Sequence, residues 1–261
     1  MIEATDIEVT LGTRKVLNGL AFQAHPGQLT AIVGPNGSGK TTLIRALTGE
    51  IGFAGQLRIN DIDPTGLKPW DVAQMRGVLA QSTQLSFPFT VFEVVRLGAE
   101  AGGHMGQAAT AMTRAALARV DLEGYEGRPY QELSGGEQQR VQLARVLCQV
   151  WEADGPEGPR WLFLDEPVSA LDIGHQLQVM RLARDYARQG GGVVAVMHDL
   201  NLTAMFADRI VLMQAGEVAA AGQADQVLRA DILSRVYGCP LTVMSSTDTA
   251  NLLVMPAAEA V

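Results

Sequence analysis

Cysteine is nearly absent: Cys148 and Cys239 are the only two in 261 residues. That is too few for a disulfide framework and suits a reducing compartment. Aromatic side chains make up only 5% of the chain, and 20 Lys and Arg are outnumbered by 28 Asp and Glu, a formal charge of −8. A phosphate backbone is bound by clustered cations, so no nucleic-acid partner is expected. No apolar run approaches the roughly 18 to 20 residues of a membrane span. The opening MIEATDIEVT lacks the basic and apolar blocks of a signal peptide. A soluble intracellular protein is expected, touching a membrane only through a partner. There is no internal repeat, which predicts one catalytic unit rather than a fused pair.

What is present is ample apolar material, 47% of residues against 18% charged, enough for a large core. Residues 5–32 read as antiparallel strands: IEV alternates, TLGTRK turns, LAFQA alternates, and HPGQ turns into LTAIV. LTAIV is apolar on both faces, as a strand in the middle of a sheet is. GVLAQ (77–81), WLFLD (161–165) and GVVAVMH (192–198) have the same character. Residues 90–150 read as almost wholly helical, opening on a Thr90/Glu93 capping box. The Gly- and Ala-rich stretch 99–111 is expected to be a mobile loop or weak helix start, and 112–121 and 134–151 are amphipathic. RIVLMQAGEVAAAG (209–222) reads as strand, turn and strand, followed by a helix through ADQVL; after Pro240 no strong pattern remains. The expected fold class is α/β, a core over 1–84 and 152–235 with antiparallel N-terminal strands, in which GPNGSGKTT (34–42), with its G-x-x-x-x-G-K-[ST] pattern, marks a P-loop nucleotide-binding unit. A helical subdomain is inserted at 85–151, and 236–261 forms a tail.

The stretch Gly34-Pro35-Asn36-Gly37-Ser38-Gly39-Lys40-Thr41-Thr42 fits G-x-x-x-x-G-K-[ST], preceded by a buried strand and followed by a helix that stops at Gly49. The glycines let backbone amides wrap phosphates as an anion nest. Lys40 is expected against the β- and γ-phosphates, and the Thr41 hydroxyl on Mg²⁺. WLFLDEP supplies the other half: Asp165 ends a buried strand, poised to hold Mg²⁺ through water, and Glu166 is the candidate general base for an attacking water. His198 and Gln81 each end another buried run, at the carboxyl edge where α/β sheets bind ligands. His198 is expected to touch the γ-phosphate and Gln81 to orient water or Mg²⁺. His25, His104 and His175 lack such placement and read as surface residues. ATP and Mg²⁺ are the expected ligands.

LSGGEQQR (133–140) raises a separate question. Ser134 and Glu137 form a second capping box, and Gly135 and Gly136 leave the first-turn amides open to an anion. One nucleotide site already has its phosphate cradle. By elimination, the second cradle serves the nucleotide of another copy, in a two-fold homodimer that pairs each P-loop with the partner's Ser134–Gly136.

GPNGSGKTT, Gln81, LSGGEQQR, WLFLDEP with SALD (169–172), and His198 occur in that order, and together the chain resembles the ATP-binding-cassette (ABC) family over roughly residues 5–230. The resemblance implies a head-to-tail ATP sandwich, catalytic roles for Glu166, Gln81 and His198, and Asp172 as a cross-dimer contact. It also implies docking of the Gln81 region on an integral-membrane permease dimer at the cytoplasmic face of the inner membrane, with a periplasmic or surface substrate-binding protein acting indirectly. FPFTVFEVVRLG, LSGGEQQRVQLARVLCQVW and HDLN before ADRIVLMQAGEV look like importers of siderophores, cobalamin and haem. The tryptophan and the polar insertion EADGPEGPR (152–160) are similar to the haem-uptake ATPases. Ferric siderophore or cobalamin import is the neighbouring reading, and a soluble ABC ATPase of iron–sulfur cluster assembly the more distant one. Where the family stacks adenine on an aromatic residue after the first strand, this chain has Leu11. The glycines and prolines of 152–160 predict a surface loop without regular structure. Cys239-Pro240 resembles a haem-regulatory dipeptide, but a plain turn explains it better.

Overall fold

A computed structural model describes residues 1–81, 87–245 and 252–257. The expected subdomain boundary at 84–85 and parts of the expected tail lie outside the described residues. The chain begins with β1 (Ile2–Leu11), β2 (Arg14–Ala24), β3 (Leu29–Val33), α1 (Lys40–Leu47) and β4 (Ala54–Ile59). It continues through α2 (Pro69–Met75), β5 (Arg76–Leu79), α3 (Val91–Ala101), α4 (Gly106–Arg119) and α5 (Gly135–Gln149). Then come β6 (Asp154–Gly155), β7 (Gly158–Pro159), β8 (Trp161–Asp165), α6 (Ile173–Arg188), β9 (Gly192–Val196) and α7 (Leu200–Phe206). The last elements are β10 (Arg209–Gln214), β11 (Glu217–Gly222), α8 (Ala224–Val227), α9 (Ala230–Tyr237), β12 (Leu241–Ser245) and β13 (Leu252–Pro256). They form two compact units, residues 1–65 with 194–261, and residues 66–193.

In the first unit an antiparallel sheet has the order β2-β1-β4, and a mixed set runs β11-β10-β3-β9. β10 is parallel to β3 and antiparallel to β11. Every residue of β3 is buried, as its two-sided apolar sequence requires. At about 1.5 to 3 kcal/mol per large buried apolar side chain, Leu29, Ile32 and Val33 anchor the strand that leads into the P-loop. The C-terminal segment departs from expectation: β12 and β13 pair as an antiparallel hairpin, Leu241 opposite Pro256 and Ser245 opposite Leu252.

In the second unit β5 and β8 are parallel neighbours, with Leu79 opposite Leu164. The Thr90/Glu93 capping box opens α3 as expected. The Gly- and Ala-rich stretch does not form a loop throughout. Helix α3 runs through Ala101, and α4 starts at Gly106. A Cβ on Gly98 would overlap the Arg145 carbonyl oxygen of α5. That glycine lets two helices cross closely and breaks neither. Residues 152–160 also carry more order than expected. β6 and β7 make a minimal ladder, closed by the Arg160 amide on the Ala153 carbonyl at 2.8 Å. Cys148 is buried in α5, and burial pushes its thiol up to about 12, so it stays protonated and unreactive.

Candidate functional site

The residues singled out by sequence fall in both units, and each set has its own geometry. In the first unit β3 ends at Val33 and the chain turns at Gly34, where φ is 148° and an added Cβ would overlap the Met213 carbonyl oxygen. Gly39, with φ 102°, is the N-cap of α1 and brings no side-chain cap. The first amides of α1 therefore face the loop without a side-chain acceptor from the cap, the arrangement that receives an anion. Ser38 is 2% exposed, and its hydroxyl has no protein partner among the described residues. A buried orphan hydroxyl beside an uncapped helix start fits a phosphate group. Lys40, 6% exposed, donates from Nζ to the carbonyls of Gly34 at 2.8 Å and Pro35 at 3.0 Å, so its ammonium is held over the loop itself. Thr41 and Thr42 are half-buried in the first turn of α1, while Pro35, Asn36 and Gly37 form the outer part of the loop.

His198 belongs to the same unit. The Met197 amide donates to the Ile32 carbonyl at 3.0 Å, which brings the end of β9 beside the end of β3. His198 follows it, exposed, at the edge from which the P-loop starts. Leu11 ends β1 opposite Arg14 and is 43% exposed. An aliphatic side chain gives an adenine ring less than an aromatic one does. Leu11→Tyr is expected to tighten ATP binding by about 1 to 3 kcal/mol, the scale of base–aromatic stacking. Titration with a fluorescent nucleotide measures it, and unchanged affinity would mean that adenine does not lie on this residue.

In the second unit Asp165 closes β8, 4% exposed. Glu166 follows with φ 53°, a left-handed conformation that a non-glycine residue adopts at a cost and that clusters at functional sites. The surrounding contacts hold it there. Gln139 of α5 donates from Nε2 to the Glu166 carbonyl at 3.0 Å, and the Ser169 hydroxyl donates to the same oxygen at 3.2 Å. No sequence motif assigns Gln139 a role. Its position, one turn into the helix that follows Ser134, was the available signal. Gln81 lies two residues past Leu79, as Glu166 lies two past Leu164, so the parallel register carries both to the same sheet edge. Gln81 is exposed in a bend.

The second cradle has the expected capping box. The Glu137 amide donates to the Ser134 hydroxyl at 3.4 Å, and the Ser134 amide donates to the Glu137 carboxylate at 2.8 Å. The Ser134 hydroxyl also donates to the Glu137 carboxylate at 2.7 Å, and that bond, with the one from the Ser134 amide, holds the Glu137 carboxyl below its ordinary range. Gly135 has open space around it, whereas Gly136 packs against Ala170 and Leu171 of the SALD stretch. Asp172 caps α6. It accepts the His175 amide at 3.0 Å and meets the His175 Nδ1 at 2.8 Å, which together hold its carboxyl low. His175 is thus on the surface, as expected, and engaged with the candidate residue Asp172, whereas His104, expected on the surface, has a buried Nε2 with no protein partner among the described residues.

Among the described residues no group of three or more His, Cys, Asp or Glu could hold a metal ion. Nor is any helix among them long and apolar enough to cross a membrane.

A family model described as ABC transporter matches residues 17–169. The chain is 60% identical over 246 residues to the hemin import ATP-binding protein HmuV of Jannaschia sp. (strain CCS1), covering 94% of this chain and 90% of that one. It is 54% identical over 255 residues to the protein of the same name from Roseobacter denitrificans, covering 98% and 97%. Among solved structures it is similar to the dimeric post-hydrolysis state of the ATP-binding cassette MJ0796 bound to ADP and Pi. There the TM-score is 0.74 at 26% identity, over 86% of this chain and 99% of that one.

Proposed function

The chain belongs to the ABC transporter family, and on that premise we propose that it is the ATP-hydrolysing motor subunit of a haem importer. The observation that carries the choice of haem is the 60% identity, along almost the whole chain, to a hemin import ATP-binding protein. Two copies close on two ATP and drive a permease dimer from the cytoplasmic face of the inner membrane, supplied by a substrate-binding protein on the far side. The dimeric ADP- and Pi-bound cassette supports the two-copy reading.

In the hydrolytic step Lys40 and the amides of Gly37 to Thr41 bind the β- and γ-phosphates. Thr41, Asp165 and Gln81 would hold Mg²⁺, which supplies neutralisation of phosphate charge. Glu166 takes a proton from the attacking water as its oxygen bonds to the γ-phosphorus and the bond to the ADP oxygen breaks. His198 orients the γ-phosphate. Ser134 to Glu137, with Asp172, complete the site of the partner copy.

The test is transport. In a strain whose growth depends on imported iron, deletion of this gene is expected to abolish growth on haem and spare growth on ferric siderophore, with restoration by the intact chain. Retained growth on haem with loss of growth on siderophore, or of cobalamin uptake, would move the motor to the neighbouring substrate. Loss of iron–sulfur enzymes with all uptake intact would make it a soluble assembly ATPase.

A further inference from the structure

Helix α7 starts two residues after His198 and spans only Leu200–Phe206. Seven residues do not hold a helix in water on their own, so its position, and the aim of the histidine before it, depend on anchors. Asp199 is one. Its Oδ1 accepts the amides of Asn201 at 2.8 Å and Leu202 at 2.9 Å, and its carbonyl accepts the Thr203 hydroxyl at 2.7 Å.

Asn201 is another, beside the buried side chains of Leu202, Thr203 and Phe206. Its Oδ1 accepts the Val254 amide at 2.7 Å, and its Nδ2 donates to the Val254 carbonyl at 3.3 Å. Val254 faces Val243 across the C-terminal hairpin. A residue that turns both its N–H and its C=O away from its partner strand occupies a non-hydrogen-bonded pair, so these two groups belong to the open edge of β13. The Asn201 carboxamide stands where the peptide unit of a further strand would be, and so occupies part of an edge that is otherwise unpaired among the described residues. The hairpin is tied in turn to α9, where the Ser234 hydroxyl accepts the Leu241 amide at 2.9 Å. At the end of α9 the Tyr237 hydroxyl lies near the backbone of Gly34, the first glycine of the P-loop. The C-terminal segment thus reaches both nucleotide-facing stretches of its own unit.

We propose that Asn201 is a positioning residue, which fixes α7 and through it the aim of His198 by taking the edge of the C-terminal hairpin as its partner. This rests on the reading of His198 as a γ-phosphate contact. The test compares steady-state ATP hydrolysis by the full chain with Asn201→Ala, Val254→Pro, His198→Ala and the His198→Ala/Asn201→Ala double variant. Proline is tolerated where an edge N–H faces outward, so Val254→Pro removes the shorter of the two bonds from the hairpin side and serves even if Asn201→Ala fails to fold.

A misaimed group costs about tenfold to a hundredfold in rate. Asn201→Ala and Val254→Pro are expected to lose that much in kcat while KM for ATP stays within about twofold, and Asn201→Ala to add nothing once His198 is gone. Normal kcat in the first two variants with an impaired His198→Ala overturns the proposal. So does a loss that adds in full to that of His198→Ala, because it does not pass through the histidine. A normal His198→Ala removes His198 from the reaction, and the proposal falls with that reading.

Discussion

Glu166→Gln is expected to bind MgATP and to hydrolyse it at least about a hundredfold more slowly than the parent chain, the scale of losing a general base. The change is confined to chemistry. Glutamine matches glutamate in size, and the left-handed backbone at φ 53° is held by bonds to the Glu166 carbonyl from Gln139 and Ser169, which the substitution leaves in place. What is lost is a side chain able to take a proton from water. On the two-copy reading proposed above, closure on ATP precedes hydrolysis, so the variant is also expected to accumulate as an ATP-bound dimer on gel filtration. Near-normal turnover would remove Glu166 from the role of base. Tight binding without a dimer would separate the base from the two-copy reading.

The parts of this molecule that sequence makes legible are those with a one-dimensional signal. LTAIV and WLFLD are buried strands at the residues expected because their apolar runs leave no polar face. Both capping boxes are present because the pattern lies within four consecutive residues. What sequence hides depends on three dimensions. The C-terminal hairpin shows no alternation because its outer face is also apolar: Met244, Leu253 and Met255 are 51%, 43% and 42% exposed. Helix α4 buries Ala109, Thr113 and Ala116, and such small side chains carry little hydrophobic signal at a helical period. Gly98 looks like a helix breaker and is a point of close helix crossing. The candidate site divides the same way. Lys40, Asp165 and Glu166 announce themselves by motif. Gln139 beneath Glu166, His175 on Asp172 and Asn201 on the hairpin edge act through contacts that no spacing rule encodes.

The central claim is that the Ser134 cradle serves the nucleotide of the other copy. Lys40→Ala removes the ammonium held over the phosphate loop, and Ser134→Arg replaces the hydroxyl of the capping box with bulk at a helix start that must meet phosphate. Both are introduced into Glu166→Gln heterodimers, which trap ATP, and trapped ATP is counted per heterodimer. With the two changes on separate chains, the head-to-tail account predicts that both fall in one composite site and the other stays whole, leaving one ATP. With both on one chain, each change ruins a different site and no ATP is trapped. The reverse pattern, one ATP with both changes on one chain and none with them apart, would mean that each cradle serves its own chain and would contradict the account.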